Sequence, residues 1–181
     1  MKRFEKILVP TDLSEYSRQG LRYACSLAAD EKAALVVLHI ANEFEAWELF
    51  SDDFGFCTPT SQAWPTDRVL AEASLDLSRF LEKHLDLIKS IPSVTKRVVL
   101  GAVAQQITTV AEEEKADMIV MSPRRHRTLR HFLGGSITDR VMRMSPCPVL
   151  SVSSPLPSQL WRRKHAPIFF GWPRQKVATQ S

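Results

Sequence analysis

Cysteine is scarce in this 181-residue chain, with only Cys25, Cys57 and Cys147. Odd in number and lacking any Cys-x-x-Cys spacing, they argue against a disulfide framework or a zinc site and for a reducing, cytoplasmic setting. Cys25 and Cys147 read as small buried apolar residues. No apolar run reaches the ~18 residues that a membrane-spanning helix needs. The basic N-terminus, MKRFEKILVPTD, carries an apolar run too short for the core of a signal peptide. Metal-ligand spacing is missing, as is the Gly-x-Ser-x-Gly setting of a nucleophile elbow. Acid is missing from the tail: from Ser154 onward Arg162, Arg163, Lys164, Arg174 and Lys176 face no Asp or Glu. That leaves 19 of the 24 cations against all 20 acids, close to neutrality. A basic surface spread over the whole protein is therefore not implied, and any basic patch is local.

What remains is the composition of an ordinary globular domain, 44% hydrophobic and 24% charged, long enough for one full core. Lys6–Thr11 is a short apolar run ending near Pro10, suited to a buried parallel strand. Asp12 with Glu15, or Ser14 with Ser17, starts the helix that follows, whose stripe is Leu21, Ala24, Cys25 and Ala28. Ala34–Ile40 predicts a second strand. Asp67–Lys89 predicts one helix with Leu70, Ala73, Leu77, Phe80, Leu81 and Ile88 on a shared face. Thr95–Leu100 predicts a third strand turned by Gly101. Ala104–Lys115 predicts a helix with Ile107, Val110 and Ala111 inward and Glu112 to Glu114 toward solvent. Asp117–Ser122 and Pro148–Val152 predict the fourth and fifth strands. Between them lies a helix over Ser136–Met144 with Ile137, Val141 and Met144 inward. This βαβαβαβαβ order predicts an α/β protein with a parallel sheet covered on both faces and right-handed crossovers. Ligands of such sheets bind beyond the carboxyl ends of the strands, where strand order reverses. The candidates there are Pro10, Thr11, Asp12, Ile40, Gly101 and the loop after Met121.

The stretch from Met118 to Val152 is the most informative. After Met121 comes Ser122-Pro123 and a loop holding Arg124, Arg125, Arg127 and Arg130 with His126 and His131. Gly134-Gly135-Ser136 then opens a helix, with Ser136 and Asp139 at capping-box spacing. A first helical turn offers unpaired N–H groups to anions, so a phosphate, if bound, is expected at Gly135, Ser136 and Ile137. His39 reads as a satisfied core histidine, and Ser136 as a cap rather than a nucleophile.

At these residues the chain resembles the universal stress protein family. The matching pieces are KILVPTDLSEYS, ALVVLHI, VVLGAVAQQITTVAEEEKADMIVM and GGSITDRVMRMSPCPVLSV. The resemblance implies a doubly wound, five-stranded parallel sheet of order 3-2-1-4-5, adenine nucleotide alpha hydrolase-like, over residues 1–153. It also implies a regulatory or protective role in stress response and a homodimer, often joined through the last strand, here 148–152. One branch of the family binds ATP and is marked by Gly-x2-Gly-x9-Gly-Ser/Thr after the fourth strand. Laid on this chain, that pattern puts Ser122 and Arg125 at the first two glycines and keeps Gly135-Ser136. Asp12 falls at the family's adenine-side acid.

The departure exchanges backbone geometry for charge. Glycines let backbone N–H groups close on phosphate oxygens; Pro123 removes one N–H, whereas Arg124 and Arg125 supply guanidinium groups that grip phosphate in pairs. Three readings stay open for this loop: a solvated face of a degenerate site, an ATP site that uses arginine, or a site for another polyanion or an acidic protein, nucleic acid being the less expected partner. No acid–base or nucleophile pair can be assembled from the sequence, so an enzyme is not expected, beyond weak ATPase activity should ATP bind.

Two segments fall outside this pattern. Residues 41–66 are acidic and aromatic, with Glu43, Glu45, Glu48, Asp52 and Asp53 among six large aromatics, and could hold a short helix at Glu43–Phe50. The tail, 154–181, is basic and aromatic, with four prolines that limit regular structure to a short piece. Opposite charge and shared aromatics suggest that the tail packs on the insert.

Overall fold

The apolar runs form parallel strands, and the periodic stretches between them form helices on either side. In the computed structural model, which describes residues 3–41, 66–122, 137–152 and 169–171, the elements are β1 (Lys6–Thr11), α1 (Glu15–Glu31), β2 (Ala34–Ala41), α2 (Thr66–Glu82), α3 (Leu85–Ile88), β3 (Val94–Leu100), α4 (Val103–Glu113), β4 (Met118–Met121), α5 (Ile137–Met144), β5 (Val149–Ser151) and β6 (Phe169–Gly171). The sheet runs β3-β2-β1-β4-β5-β6. Its first five strands are parallel in the order 3-2-1-4-5. β6 is an addition from the tail, antiparallel to β5.

Alternation along the strands divides the core in two, because successive side chains leave opposite faces of a sheet. Ile7, Val9, Leu35, Val37, Met118, Val120 and Leu150 lie with Leu21, Ala24, Cys25 and Ala28 of α1 and Leu77, Phe80 and Leu81 of α2. Leu8, Val36, Leu38, Ile40, Ile119, Met121 and Val149 lie with Ile107, Val110 and Ala111 of α4 and Val141 of α5. Both faces are thus sealed, which is why the strands read as continuous apolar runs.

Local chemistry sets the helix ends. Of the two competing starts of α1, Ser14 is the cap, its side chain accepting from the Ser17 N–H. α1 and α4 both end on a lysine in the left-handed region, Lys32 and Lys115. In each case the following alanine returns a bond to a carbonyl five residues back, Ala33 to Ala28 and Ala116 to Ala111, both at 2.9 Å. These are Schellman closures that feed the chain straight into β2 and β4.

Several expectations need correction. The helix over Asp67–Lys89 is two helices, α2 and α3, parted at Lys83-His84, where His84 turns inward and meets Phe80 edge-on at 4.9 Å. Val69 is buried there, whereas Leu70 is half-exposed. In α5, Ile137 and Met144 are 48% and 50% exposed, and Thr138 and Val141 are the buried pair. The eight-residue helix shows the core barely two turns, too few for its apolar spacing to fix a face. Glu114 does not simply face solvent; it accepts from Lys6 Nζ at 3.1 Å and from Arg97 Nη1 at 2.7 Å. The proposed Glu43–Phe50 helix and the contact between tail and insert lie outside the described residues.

Candidate functional site

Strand order reverses at β1, whose neighbours are β2 on one side and β4 on the other. The β1–β2 ladder continues to Thr11↔His39, whereas the β1–β4 ladder holds only Ile7↔Met118 and Leu8↔Ile119. Pro10 follows immediately, and a residue without an N–H suits a position where one side of the strand has lost its partner. The crevice of a doubly wound sheet opens at such a place. Its two lips are Pro10-Thr11-Asp12 and Met121-Ser122.

A chain of hydroxyls shapes the first lip. Ser17 Oγ donates to the Ser14 carbonyl at 2.8 Å. Thr11 Oγ1 therefore donates to Ser17 Oγ, also at 2.8 Å, and itself accepts from the Leu13 N–H at 3.0 Å. These bonds hold Leu13 at φ 59°, a left-handed conformation that an ordinary residue adopts only when its surroundings require it. The turn leaves Asp12 exposed, with Oδ1 accepting from both the N–H and the hydroxyl of Ser14. A carboxylate beside the start of α1 is favoured by the helix dipole. It also repels phosphate, so this lip suits the N–H and O–H donors of a ligand rather than its anionic end.

His39 stands behind this turn. Its Nδ1 lies 3.0 Å from the Thr11 carbonyl; a carbonyl can only accept, so Nδ1 carries the proton. On the second lip, Ser122 Oγ is buried and has no hydrogen-bond partner among the described residues. It lies against Gly20 of α1, where an added Cβ would sit 2.9 Å from Ser122 Oγ and 3.3 Å from its backbone N. Glycine in mid-helix is what lets α1 approach the end of β4 this closely.

The structure thus brings Pro10, Thr11, Asp12, Met121 and Ser122 to one switch point. Strand alternation turns Thr11 and Ser122 toward α1, whereas Pro10, Ile40 and Met121 belong to the face of α4 and α5. Gly101 ends β3, two strands from β1, roughly 10 Å at the usual strand spacing. Its φ of 130° and its contact with Gln106 account for the glycine there. Ile137 lies at the exposed start of α5. Arg124, Arg125, Gly135 and Ser136 lie outside the described residues. Ser17 enters the sequence reading only as part of a helix start, and its bond to Thr11, the role of Gly20 and the partner of His39 do not follow from it. The Ser14-x-x-Ser17 spacing and a glycine inside a helical stripe were their only signals. Among the described residues no group of His, Cys, Asp and Glu is placed to hold a metal, and no helix is long and apolar enough to cross a membrane.

Comparison with known proteins agrees with this architecture. The model of the universal stress protein family matches residues 3–153. A universal stress protein of Methanothermobacter thermautotrophicus is 28% identical over 151 residues, 82% of this chain and 95% of its own. The solved structure of the Methanocaldococcus jannaschii protein MJ0577 superposes with a TM-score of 0.63 at 25% identity, covering 86% of this chain and all of the other. A universal stress protein solved in complex with cAMP shares the fold, with a TM-score of 0.55 at 23% identity over 84% of this chain and 98% of its own.

Proposed function

The chain belongs to the universal stress protein family, and we propose that it is a cytoplasmic regulatory or protective protein of stress response that binds an adenine nucleotide, ATP first among them, at the β1–β4 switch point. The observation that carries this reading is the ending of the β1–β4 ladder at Leu8↔Ile119, with Asp12 on the lip beyond it. In this reading Asp12 receives donors of the base or sugar. The phosphates lie toward the start of α5, where Arg124, Arg125, Gly135 and Ser136 of the intervening segment supply charge and N–H groups. The domain is 1–153, the role is binding rather than turnover, and 154–181 acts on the domain's edge. That a protein of this fold has been solved with cAMP makes cAMP the second ligand to test.

Mass spectrometry of the purified protein for a co-purifying nucleotide comes first, followed by titration of ATP, cAMP and a short single-stranded oligonucleotide at two salt concentrations. Saturable ATP or cAMP binding that weakens in Asp12→Ala supports the reading. Oligonucleotide binding with a steep salt slope, lost in Arg124→Ala/Arg125→Ala while ATP binds no better than buffer, replaces it with a polyanion site.

A further inference from the structure

Among the described residues, three other than glycine stand at positive φ: Leu13 at 59°, Lys32 at 55° and Lys115 at 53°. The two lysines close α1 and α4, where the left-handed conformation is routine. Leu13 closes no helix. It lies between β1 and the first turn of α1, beside Asp12. Strain of this kind persists only where the surroundings over-determine it, and it clusters at ligand sites.

The surroundings pin the Leu13-Ser14 pair from both ends. The Leu13 N–H donates to Thr11 Oγ1 at 3.0 Å, and the Ser14 carbonyl accepts from Ser17 Oγ at 2.8 Å. Thr11 Oγ1 donates to Ser17 Oγ at 2.8 Å and so joins the two pins. Each hydroxyl has one proton, and this arrangement uses both. Thr11 and Ser17 are 5% and 6% exposed, so water does not readily replace a lost partner. The Leu13 side chain packs against the core on the α1 side of the sheet. Between the pins, the backbone sets where Asp12 points. The Ser14 N–H, next after Leu13, donates to Asp12 Oδ1 at 3.1 Å, and the Ser14 hydroxyl donates to the same oxygen. A Leu13 relaxed to negative φ would turn the Asp12–Leu13 peptide and carry these donors away from the carboxylate.

We propose that Ser17 and Thr11 are positioning residues of the nucleotide site: without touching the ligand, their buried hydroxyl relay holds the strained Leu13 turn that aims the Asp12 carboxylate. The inference rests on the reading of Asp12 as a ligand-binding residue.

The test is a mutant cycle on the full chain, read by titration of ATP, with circular dichroism confirming that each variant is folded. Thr11→Val and Ser17→Ala should each weaken ATP binding by about tenfold, the scale of one buried hydrogen bond. Thr11→Ser, which keeps the hydroxyl, should recover most of that loss. In an Asp12→Ala background the same changes should cost almost nothing further, because the relay acts through the carboxylate. Ser17→Ala also favours a helix, so it carries the test should Thr11→Val fail to fold. ATP binding that needs Asp12 but is unchanged in Thr11→Val and Ser17→Ala overturns this inference and leaves the site standing. Losses that add in full to that of Asp12→Ala overturn it too, since they would mean a general loosening of the crevice. A wild type that binds no ATP overturns the site and this inference together.

Discussion

His39 donates its Nδ1 proton to the carbonyl of Thr11, the residue beside it in register on the neighbouring strand. A side chain thereby reinforces the end of β1 at the point where β1 loses β4 as a partner. A buried bond of this kind contributes about 1 kcal/mol. His39→Leu should lower the stability in urea by about that amount. His39→Asn, whose side-chain N–H sits at the same distance along the chain as Nδ1, should recover part of the loss. Equal midpoints for wild type and His39→Leu would show that the bond contributes nothing.

The orphaned hydroxyl of Ser122 makes a second prediction. A buried, unpaired hydroxyl carries an unrecovered desolvation cost of about 1–3 kcal/mol, so Ser122→Ala should raise the melting temperature. Gly20→Ala should lower it, because the contact at 2.9 Å outweighs a helix-propensity gain of about 1 kcal/mol. In the double variant the Gly20→Ala penalty should shrink, since the nearest clashing atom is gone. Strict additivity of the two changes would contradict the packing described.

Glu114 ties three elements together at the amino end of β1. The bond from Lys6 holds its carboxyl below the usual 4.5, followed by the charge of Lys6 and the bond from Arg97, with burial opposing them. A carboxyl whose pKa is lowered on folding stabilises fully above its unfolded value, and that stability is lost as pH falls through the folded one. Because Lys6 and Arg97 are each about a third open to water, the contribution at neutral pH is about 1 kcal/mol. Glu114→Gln should show this deficit in urea at neutral pH. The gap should close in acid, below the ordinary carboxyl range. A deficit that does not change with pH would mean that packing, not charge, is what Glu114 provides.

Burial, helped by the nearby charge of Asp86, pushes the Cys25 thiol up to about 12. Burial also raises Cys147, against an opposing bond from Ser145. Thiolate is the reactive form, so both residues should resist alkylation in the folded protein at mildly alkaline pH and react on unfolding. Peptide-resolved mass spectrometry of an iodoacetamide time course measures this directly. Rapid native labelling of Cys25 would contradict its place on the buried face of α1.

The scaffold was legible because its signals are local. The apolar run Lys6–Thr11 is β1 to the residue, and the stripe of α1 is the one the core buries, since a strand or a long helix declares its face over several repeats. What was not legible depends on residues far apart. Glu114 finds Arg97 across 17 positions and Lys6 across 108, and His39 meets Thr11 across 28. Neither pairing has a sequence signature. The break at Lys83-His84 carries no Gly or Pro to announce it. Ile137 and Met144 misled because two turns of helix leave the inward direction undetermined. β6 is a three-residue strand, Phe169–Gly171, too short a run between Pro167 and Pro173 to announce itself. Of the candidate site, the strand-end residues follow from topology. The chemistry of Ser17 and Gly20 emerges only when α1 is laid on the sheet.

Calorimetric titration of ATP into the wild-type chain and into Asp12→Ala tests the central claim most directly, with circular dichroism confirming that both are folded. The account predicts saturable one-site binding to the wild type and an affinity lower by about tenfold or more, about 1.4 kcal/mol, in the variant. Equal affinity in the two chains, or no binding to a nucleotide-free wild type, would contradict it.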